Sequence, residues 1–395
     1  MKIAISGAGV AGPTLAHWLL RHGHAPTLIE RAPAFRTGGY VIDFWGVGYE
    51  VMRRMGIEQA VLDAGYRVGE LHAVDGDGRV LARTRTDAFL DLAGGRFTSI
   101  PRGDLAAAVY ATIEGHVEAI FDDSIVTLEQ HDAGVRVALE RGGEREFDLV
   151  VGADGLHSNV RRLAFGPESD FEKFLGCHVA AFVVEGYRPR DELVYVMHNV
   201  PNRMVGRFTL RGNRTLFVFV FRSESGVAGK GIDAHKAALR REFADAGWEC
   251  PRILAAMDAV DDIYFDVVSQ IRMPAWSRGR VALVGDAAAC VSFLAGEGTG
   301  LAMTEAYVLA GELARAGGDY RQAFAQYEAC LRALVARKQS AAERFIGFFA
   351  TRTRFGLWLR MQALRAMNFG PLFRALAARD LRDDFVLPDY AVNTG

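Results

Sequence analysis

One stretch near the amino terminus restricts the fold more than any other. Lys2-Ile3-Ala4-Ile5-Ser6 is a short apolar run. Gly7-Ala8-Gly9-Val10-Ala11-Gly12 follows it, then an apolar helix-like segment to Gly23, then Pro26-Thr27-Leu28-Ile29-Glu30-Arg31. Strand, glycine turn, helix and second strand in this order make a βαβ unit. Gly7 permits the tight turn. Gly9 lets backbone N–H groups approach a pyrophosphate, and Gly12 lets helix and strand pack closely. The helix N-terminus would then face phosphates with its partial positive charge. Glu30 follows Gly12 by 18 residues, close to the spacing of a carboxylate that grips a ribose hydroxyl. The stretch reads as a dinucleotide site and by itself does not separate FAD from NAD.

With 395 residues, the chain is long enough for two or three domains and a large core. A net charge of −2 gives no reason to expect nucleic-acid binding. Cys177, Cys250, Cys290 and Cys330 are far apart in sequence. None of their spacings suits a metal or a redox pair, so reduced thiols in a cytoplasmic protein are expected. No run reaches the ~18 consecutive apolar residues of a membrane span.

Beyond Arg31 the pattern alternates between nucleotide-type and strand-rich segments. Val47 to Met55 predicts a helix, and Val68–Val74 with Arg79–Arg85 predict a hairpin around Asp75-Gly76-Asp77-Gly78. Asp104 is the expected N-cap of a helix over Leu105–Ile113. Ile125–Glu129 and Val135–Glu140 read as strands, and Asp148–Ala153 reads as a strand buried on both faces. Cys177 to Val220 is strand-rich, with Phe217, Phe219 and Phe221 on one face. Ala302–Ala314, Tyr320–Phe349 and Arg360–Arg379 read as helices. The expected class is α/β. A discontinuous Rossmann-like nucleotide domain (1–66, 101–172, 272–318) would carry a mostly β substrate domain (67–100, 173–271) and a helical segment (319–395).

Two further motifs sit at strand ends. In Val151-Gly152-Ala153-Asp154-Gly155-Leu156-His157-Ser158-Asn159-Val160-Arg161, Ser158 is placed to cap a helix. A structural turn held by Asp154 is the alternative to a binding role. In Val284-Gly285-Asp286-Ala287-Ala288, followed by Gly296-Glu297-Gly298-Thr299-Gly300, Asp286 ends a strand where ligands bind in such sheets. The glycines would bring helix-terminal amides close to a ligand.

Taken together, over about residues 1 to 315, these motifs resemble the class A FAD-dependent monooxygenases, which share the p-hydroxybenzoate hydroxylase fold with its GR2-type FAD domain. Within that group the chain looks most like tetracycline-inactivating and antibiotic-tailoring hydroxylases. The resemblance implies FAD as cofactor, NADPH or NADH as co-substrate, O2, and an aromatic or polyketide-type substrate hydroxylated through a flavin C4a-hydroperoxide. It implies a cytoplasmic monomer or homodimer and no dedicated catalytic side chain. Gly7, Gly9, Ala11, Gly12, Glu30 and Arg31 would hold the ADP half. Asp43, Arg102, Ile125 and Asp154 would add FAD contacts, with Asp154 also serving NADPH. Gly285 and Asp286 would meet the ribityl chain, and Gly296, Gly298, Thr299 and Gly300 would lie under the flavin pyrimidine. The family usually carries a histidine, a proline and a glutamine where this chain has Ala289, Phe293 and Glu297.

Other residues are candidates for the substrate pocket. Tyr40 and Phe44 flank Asp43, and core packing competes with a role at the flavin edge. Arg207 alternates with Phe208 on a strand, and a solvent-facing arginine is favoured over a substrate contact. Phe219 could wall a pocket or join an inter-domain core. Phe293 stands where the oxygen pocket is expected. His72, His178 and His198 have no visible partner, so packed or surface roles are favoured over a general base. The amphipathic run Phe345–Leu376 reads as a helix packed across both domains rather than on a membrane. Two readings compete with the monooxygenase: an FAD-dependent reductase or dehydrogenase on the same fold, and a non-enzymatic flavin- or NAD-binding protein.

Overall fold

The computed structural model describes residues 1–35, 40–87, 90, 94–223, 231–293, 296–366 and 385–390. In chain order the elements are β1 (Lys2–Ser6), α1 (Ala11–Arg21), β2 (Ala25–Glu30), β3 (Val41–Trp45), α2 (Val47–Arg54), α3 (Glu58–Ala64), β4 (Glu70–Val74), β5 (Val80–Arg85) and β6 (Phe97–Pro101). Then come α4 (Arg102–Tyr110), β7 (Glu118–Phe121), β8 (Ile125–Gln130), β9 (Val135–Leu139), β10 (Gly143–Phe147), β11 (Leu149–Gly152), α5 (Asn159–Ala164), β12 (Glu172–Glu185), β13 (Val194–Val200), β14 (Arg203–Leu210) and β15 (Arg214–Arg222). The chain continues with α6 (Ile232–Phe243), α7 (Cys250–Ala256), β16 (Tyr264–Ile271), β17 (Ser277–Arg278), β18 (Val281–Leu283), α8 (Asp286–Ala289), α9 (Gly298–Arg315), α10 (Tyr320–Phe349) and α11 (Arg354–Ala366).

The first sheet runs β17-β18-β11-β1-β2-β7. β1 lies parallel to both β2 and β11, and β11 lies parallel to β18. The apolar run at 149–152 is therefore a central strand, and Leu149, Val150 and Val151 are wholly buried. Parallel neighbours need crossover connections; the one from β7 to β11 is the three-stranded sheet β10-β9-β8, whose Val135, Val137 and Phe147 join the core of the first sheet. The architecture is the expected α/β arrangement: a nucleotide-type sheet assembled from distant segments, a strand-rich second sheet and carboxy-terminal helices.

The second sheet runs β16-β12-β15-β14-β13-β4-β5. Its outer face carries Phe182, Phe217, Phe219 and Phe221, packed on Leu239 and Phe243 of α6 and on Ile253 of α7. Its inner face carries Val179, Met204 and Val220, which meet Ile346 near the end of α10. One inner row crosses every strand in register: Ala82, Ala73, Met197, Gly206, Val218, Ala181 and Tyr264. At the Ala82 end α11 lies over it, with Leu364 packed on Ala73 and Ala82.

Three local expectations need correction. The helix expected to start at Asp104 starts at Arg102, and no side chain caps it; the Arg102 N–H donates instead to the Tyr40 carbonyl at 2.9 Å. β10, a polar edge strand, and α7, which opens on a proline, were not anticipated. The last helix starts at Arg354, before the expected Arg360, and 367–379 lie outside the described residues. Among the described residues no helix is long and apolar enough to cross a membrane.

Candidate functional site

The β1–α1 turn excludes side chains by contact. Gly7 has φ +106°, and a Cβ there would lie 2.5 Å from the Ala153 carbonyl oxygen. A Cβ on Gly12 would lie 1.9 Å from the Gly7 oxygen. Gly9 differs: the nearest atom to a Cβ there is Arg102 Nη2 at 3.8 Å. Gly9 thus opens onto a space that Arg102 borders. Glu30 closes the turn, accepting the N–H groups of Ala8 and Ala32 at 2.8 Å each. Arg31 is exposed, whereas Ala11 is buried and within 3.3 Å of a Cβ placed on Gly285.

Asp154 organises the neighbouring loop. It accepts hydrogen bonds from Asn159 N (2.8 Å), Val160 N (3.0 Å), Ser6 Oγ (3.4 Å) and the Ser158 hydroxyl. Burial pushes its carboxyl up, and these donors oppose the shift. Four donors occupy its acceptor capacity. Ser158 caps α5 as the sequence indicated, accepting Arg161 N–H at 3.0 Å. Asn159 Nδ2 donates to the Ile125 carbonyl at 2.5 Å, so that carbonyl is engaged within the protein.

The third motif completes the cleft. Gly285 takes φ +64°, and its N–H donates to Glu305 Oε2 at 2.5 Å. Asp286 follows, half-buried and 3.7 Å from a Cβ built on Gly298. Burial pushes the Asp286 carboxyl up and Arg102 pulls it back. Arg102 has no ion pair within 4 Å among the described residues. Gly296 is at φ +69°, and Gly298, Thr299 and Gly300 form the first turn of α9, with their N–H groups at its open end. That helix is seated by a close crossing: a Cβ on Gly48 of α2 would lie 2.2 Å from Gly300 Cα.

Tyr40, Tyr264 and Phe293 close the cleft towards the second sheet, with ring centroids 5.1 Å apart for Tyr40–Tyr264 and 4.5 Å for Tyr40–Phe293. Phe293 therefore takes part in an aromatic cluster that the family's proline could not make. Glu297 pairs with Lys338 at 2.6 Å, and Lys338 lies over Trp45; the acid in place of glutamine is neutralised by α10. Ala289 is buried. Asp43 accepts the Ser99 hydroxyl at 2.6 Å, and burial pushes its carboxyl up.

Other candidates lie elsewhere. Phe44 points into the core beside Tyr49, because β3 alternates and Asp43 takes the other face. Phe219 and Arg207 lie on the outer face of the second sheet, away from Tyr264. Arg207 is neither at the site nor in solvent: it is buried, donates to both Glu249 oxygens (2.8 and 3.0 Å) and pairs with Asp191. Strand parity puts it with Phe217, under α6 and α7. His198 is buried between the carbonyls of Val74 and Ala246, and His178 stacks on Phe221, so both are packed residues. A cleft of about 590 Å³ at Gly311 and Tyr390 and a hollow of about 330 Å³ at Trp248 and Arg207 do not reach Asp286. Gly38 and Gly39 lie outside the described residues.

Reasoning from sequence missed Glu305, Tyr327 and Tyr264. Glu305 is wholly buried, its pKa driven up by burial, and Tyr327 donates to the Leu283 carbonyl beside it at 3.0 Å. A lone acid in the apolar run from Leu301 to Ala310 was the available signal.

A turn that admits no side chain, an unpaired guanidinium beside it and a glycine-built helix end opposite suit a dinucleotide with an anionic head. Residues 1–338 match the family model described as FAD binding domain. The chain belongs to the FAD binding domain family. It is 44% identical over 344 residues to an uncharacterized protein of Mycobacterium tuberculosis (strain ATCC 25618 / H37Rv), covering 85% of this chain and 91% of that one. It is 34% identical over 361 residues to a flavin-dependent monooxygenase of Legionella longbeachae, covering 91% and 88%. The crystal structure of tetracycline destructase Tet(51) superposes with a TM-score of 0.83 at 30% identity, covering 98% of this chain and 99% of that one. The protein is a class A FAD-dependent monooxygenase.

Proposed function

We propose that this cytoplasmic enzyme, a monomer or homodimer, uses NADPH or NADH and O2 to hydroxylate an aromatic or polyketide-type small molecule. Arg102 and Asp286 carry the reading: residues 184 apart in sequence border one cleft, Arg102 beside Gly9 and Asp286 beside Gly298, each acting on the other's charge. Bound FAD supplies the redox chemistry, taking reducing equivalents from the nicotinamide and activating oxygen. The protein supplies the rest. Gly7, Gly9, Gly12 and the start of α1 receive the pyrophosphate, and Glu30 the adenosine ribose. Arg102 contributes positive charge beside Gly9. Asp286 stands at the ribityl chain. The free N–H groups of Gly298, Thr299 and Gly300 stabilise negative charge on the cofactor's pyrimidine. Tyr40, Tyr264 and Phe293 exclude water from the reacting face.

The test follows NADPH oxidation by the purified yellow protein across phenols, anthraquinones and tetracyclines under ¹⁸O2. Label in the product is the expected result. Product formed under strict anaerobiosis overturns the proposal in favour of a reductase.

A further inference from the structure

α11 brings an unused cation to the second sheet. Arg360 is only 5% exposed. Nε, Nη1 and Nη2 are all buried without a hydrogen-bond partner among the described residues. Its guanidinium lies over the Phe348 ring, 4.1 Å from Cζ to centroid. Burial lowers its pKa to about 10, so it remains charged at neutral pH. A buried guanidinium with none of its five N–H groups bonded is costly to the free protein. Arg203, Arg207 and Arg222, by contrast, all find carbonyl or carboxylate partners.

The position is informative. Arg360 lies one turn before Leu364, on the face of α11 that covers Ala73 and Ala82. Phe348 leads to Phe349, whose ring packs with the cluster around Val218, Tyr264 and Phe293. The inner row between these ends, Met197, Gly206, Val218 and Ala181, carries no charged side chain. Gly206 keeps the middle of the row low, with no side chain rising from it between Met197 and Val218.

We propose that Arg360 is a substrate-binding residue that pairs with an oxyanion, a carboxylate or acidic enolate, on an elongated aromatic substrate lying along this row. The inference rests on the monooxygenase reading and names its substrate class. From β13 to β16 the row crosses four strand spacings, about 19 Å at ~4.8 Å each. That span, shared with the side chains at its two ends, suits a skeleton of several fused rings with its anion far from the atom that is oxidised. The guanidinium fork matches a planar oxyanion in a bidentate pair.

The test titrates the holoenzyme with 4,5-dihydroxyanthraquinone-2-carboxylate and with its uncharged counterpart 1,8-dihydroxyanthraquinone, following tryptophan fluorescence. Wild type is expected to bind the carboxylate about 10- to 100-fold more tightly, as for a charge-assisted bond. Arg360→Leu should abolish that preference, leave the uncharged ligand within about twofold, and melt no lower than wild type. Arg360→Lys should keep part of the preference. Equal binding of both ligands by wild type, an unchanged preference in Arg360→Leu, or a lower melting temperature in that variant overturns the assignment. The fluorescence readout does not require flavin turnover. A protein that discriminates the ligands but shows no oxygen-dependent turnover would sink the monooxygenase reading alone.

Discussion

The contact between Gly48 and Gly300 sets where the amides of α9 point, and Gly48→Ala tests it. The new Cβ would lie 2.2 Å from Gly300 Cα and 2.7 Å from Gly300 O. Ordinary carbon contacts begin near 3.4 Å, so α2 and α9 must part by roughly 1 Å. Neither neighbour can yield by rotating a side chain, because the obstructing atoms are backbone. Overpacking of this kind costs about 1–3 kcal/mol. A misplacement of about 1 Å at a reacting centre costs about 10²-fold in rate, or ~2.7 kcal/mol. Differential scanning fluorimetry reads the first effect; flavin affinity and kcat/KM for substrate-stimulated NADPH oxidation read the second. Gly76→Ala is the control, since a Cβ there meets nothing within 4 Å. A Gly48→Ala enzyme within twofold of wild type in both flavin affinity and kcat/KM would refute the view that this crossing fixes the site.

Glu305→Gln should stay within about 1 kcal/mol of wild type, since burial drives the acid towards its neutral form and the amide isostere can still accept the Gly285 N–H, whereas Glu305→Ala should cost ~2–4 kcal/mol in urea unfolding. Equal damage by both would show that the group works ionised. His157 hydrogen-bonds Asp266 at 3.1 Å and Glu168 at 2.8 Å, which raises its pKa to about 9. Its contribution is full below the unfolded value near 6.5 and is lost as pH rises through 9. Half exposed, it is worth under about 1 kcal/mol; the stability gap between wild type and His157→Gln should be present at pH 6 and gone by pH 10. Arg207→Met should destabilise by about 1–3 kcal/mol, because it strips Glu249 of its two bonds from Arg207 and leaves it Arg252 (3.2 Å) and the Tyr187 hydroxyl (2.8 Å). At temperatures where the variant is folded its KM should match wild type, and a raised KM would return Arg207 to the substrate pocket.

Features written in local backbone chemistry were legible before the fold was seen. Gly12 is fixed by contacts within one βαβ unit, Gly7 takes the φ of +106° that its turn requires, and Ser158 caps three residues ahead of itself. Strand alternation likewise put Phe217, Phe219 and Phe221 on one face. What alternation does not carry is which face meets which neighbour. That was decided by α6 and α7, which cover the phenylalanines and take Arg207 and Phe219 away from the site. Asp104 looked like a cap because its residue type suits one, but the chain had already turned helical where Arg102 N–H found the Tyr40 carbonyl. Glu305 showed only as a lone acid in an apolar run and Arg360 not at all, because their neighbours, Gly285 and Phe348, are set by helix packing.

α10 has a mechanical consequence. Its 30 residues make a rod of about 45 Å. Near its start Tyr327 is tied to Leu283 in the first sheet. At Gln339 it is bonded to the carbonyls of Ile271 (2.8 Å) and Cys290 (3.1 Å), and at Ile346 it lies under the second sheet. Beyond it the second sheet is tied again, Asn199 of β13 to the Phe349 carbonyl (3.0 Å) and Arg222 of β15 to the Ala350 carbonyl (2.7 Å). Two sheets fastened at several points along one shaft do not open like a clam shell: α10 is a strut that holds the span across the cleft.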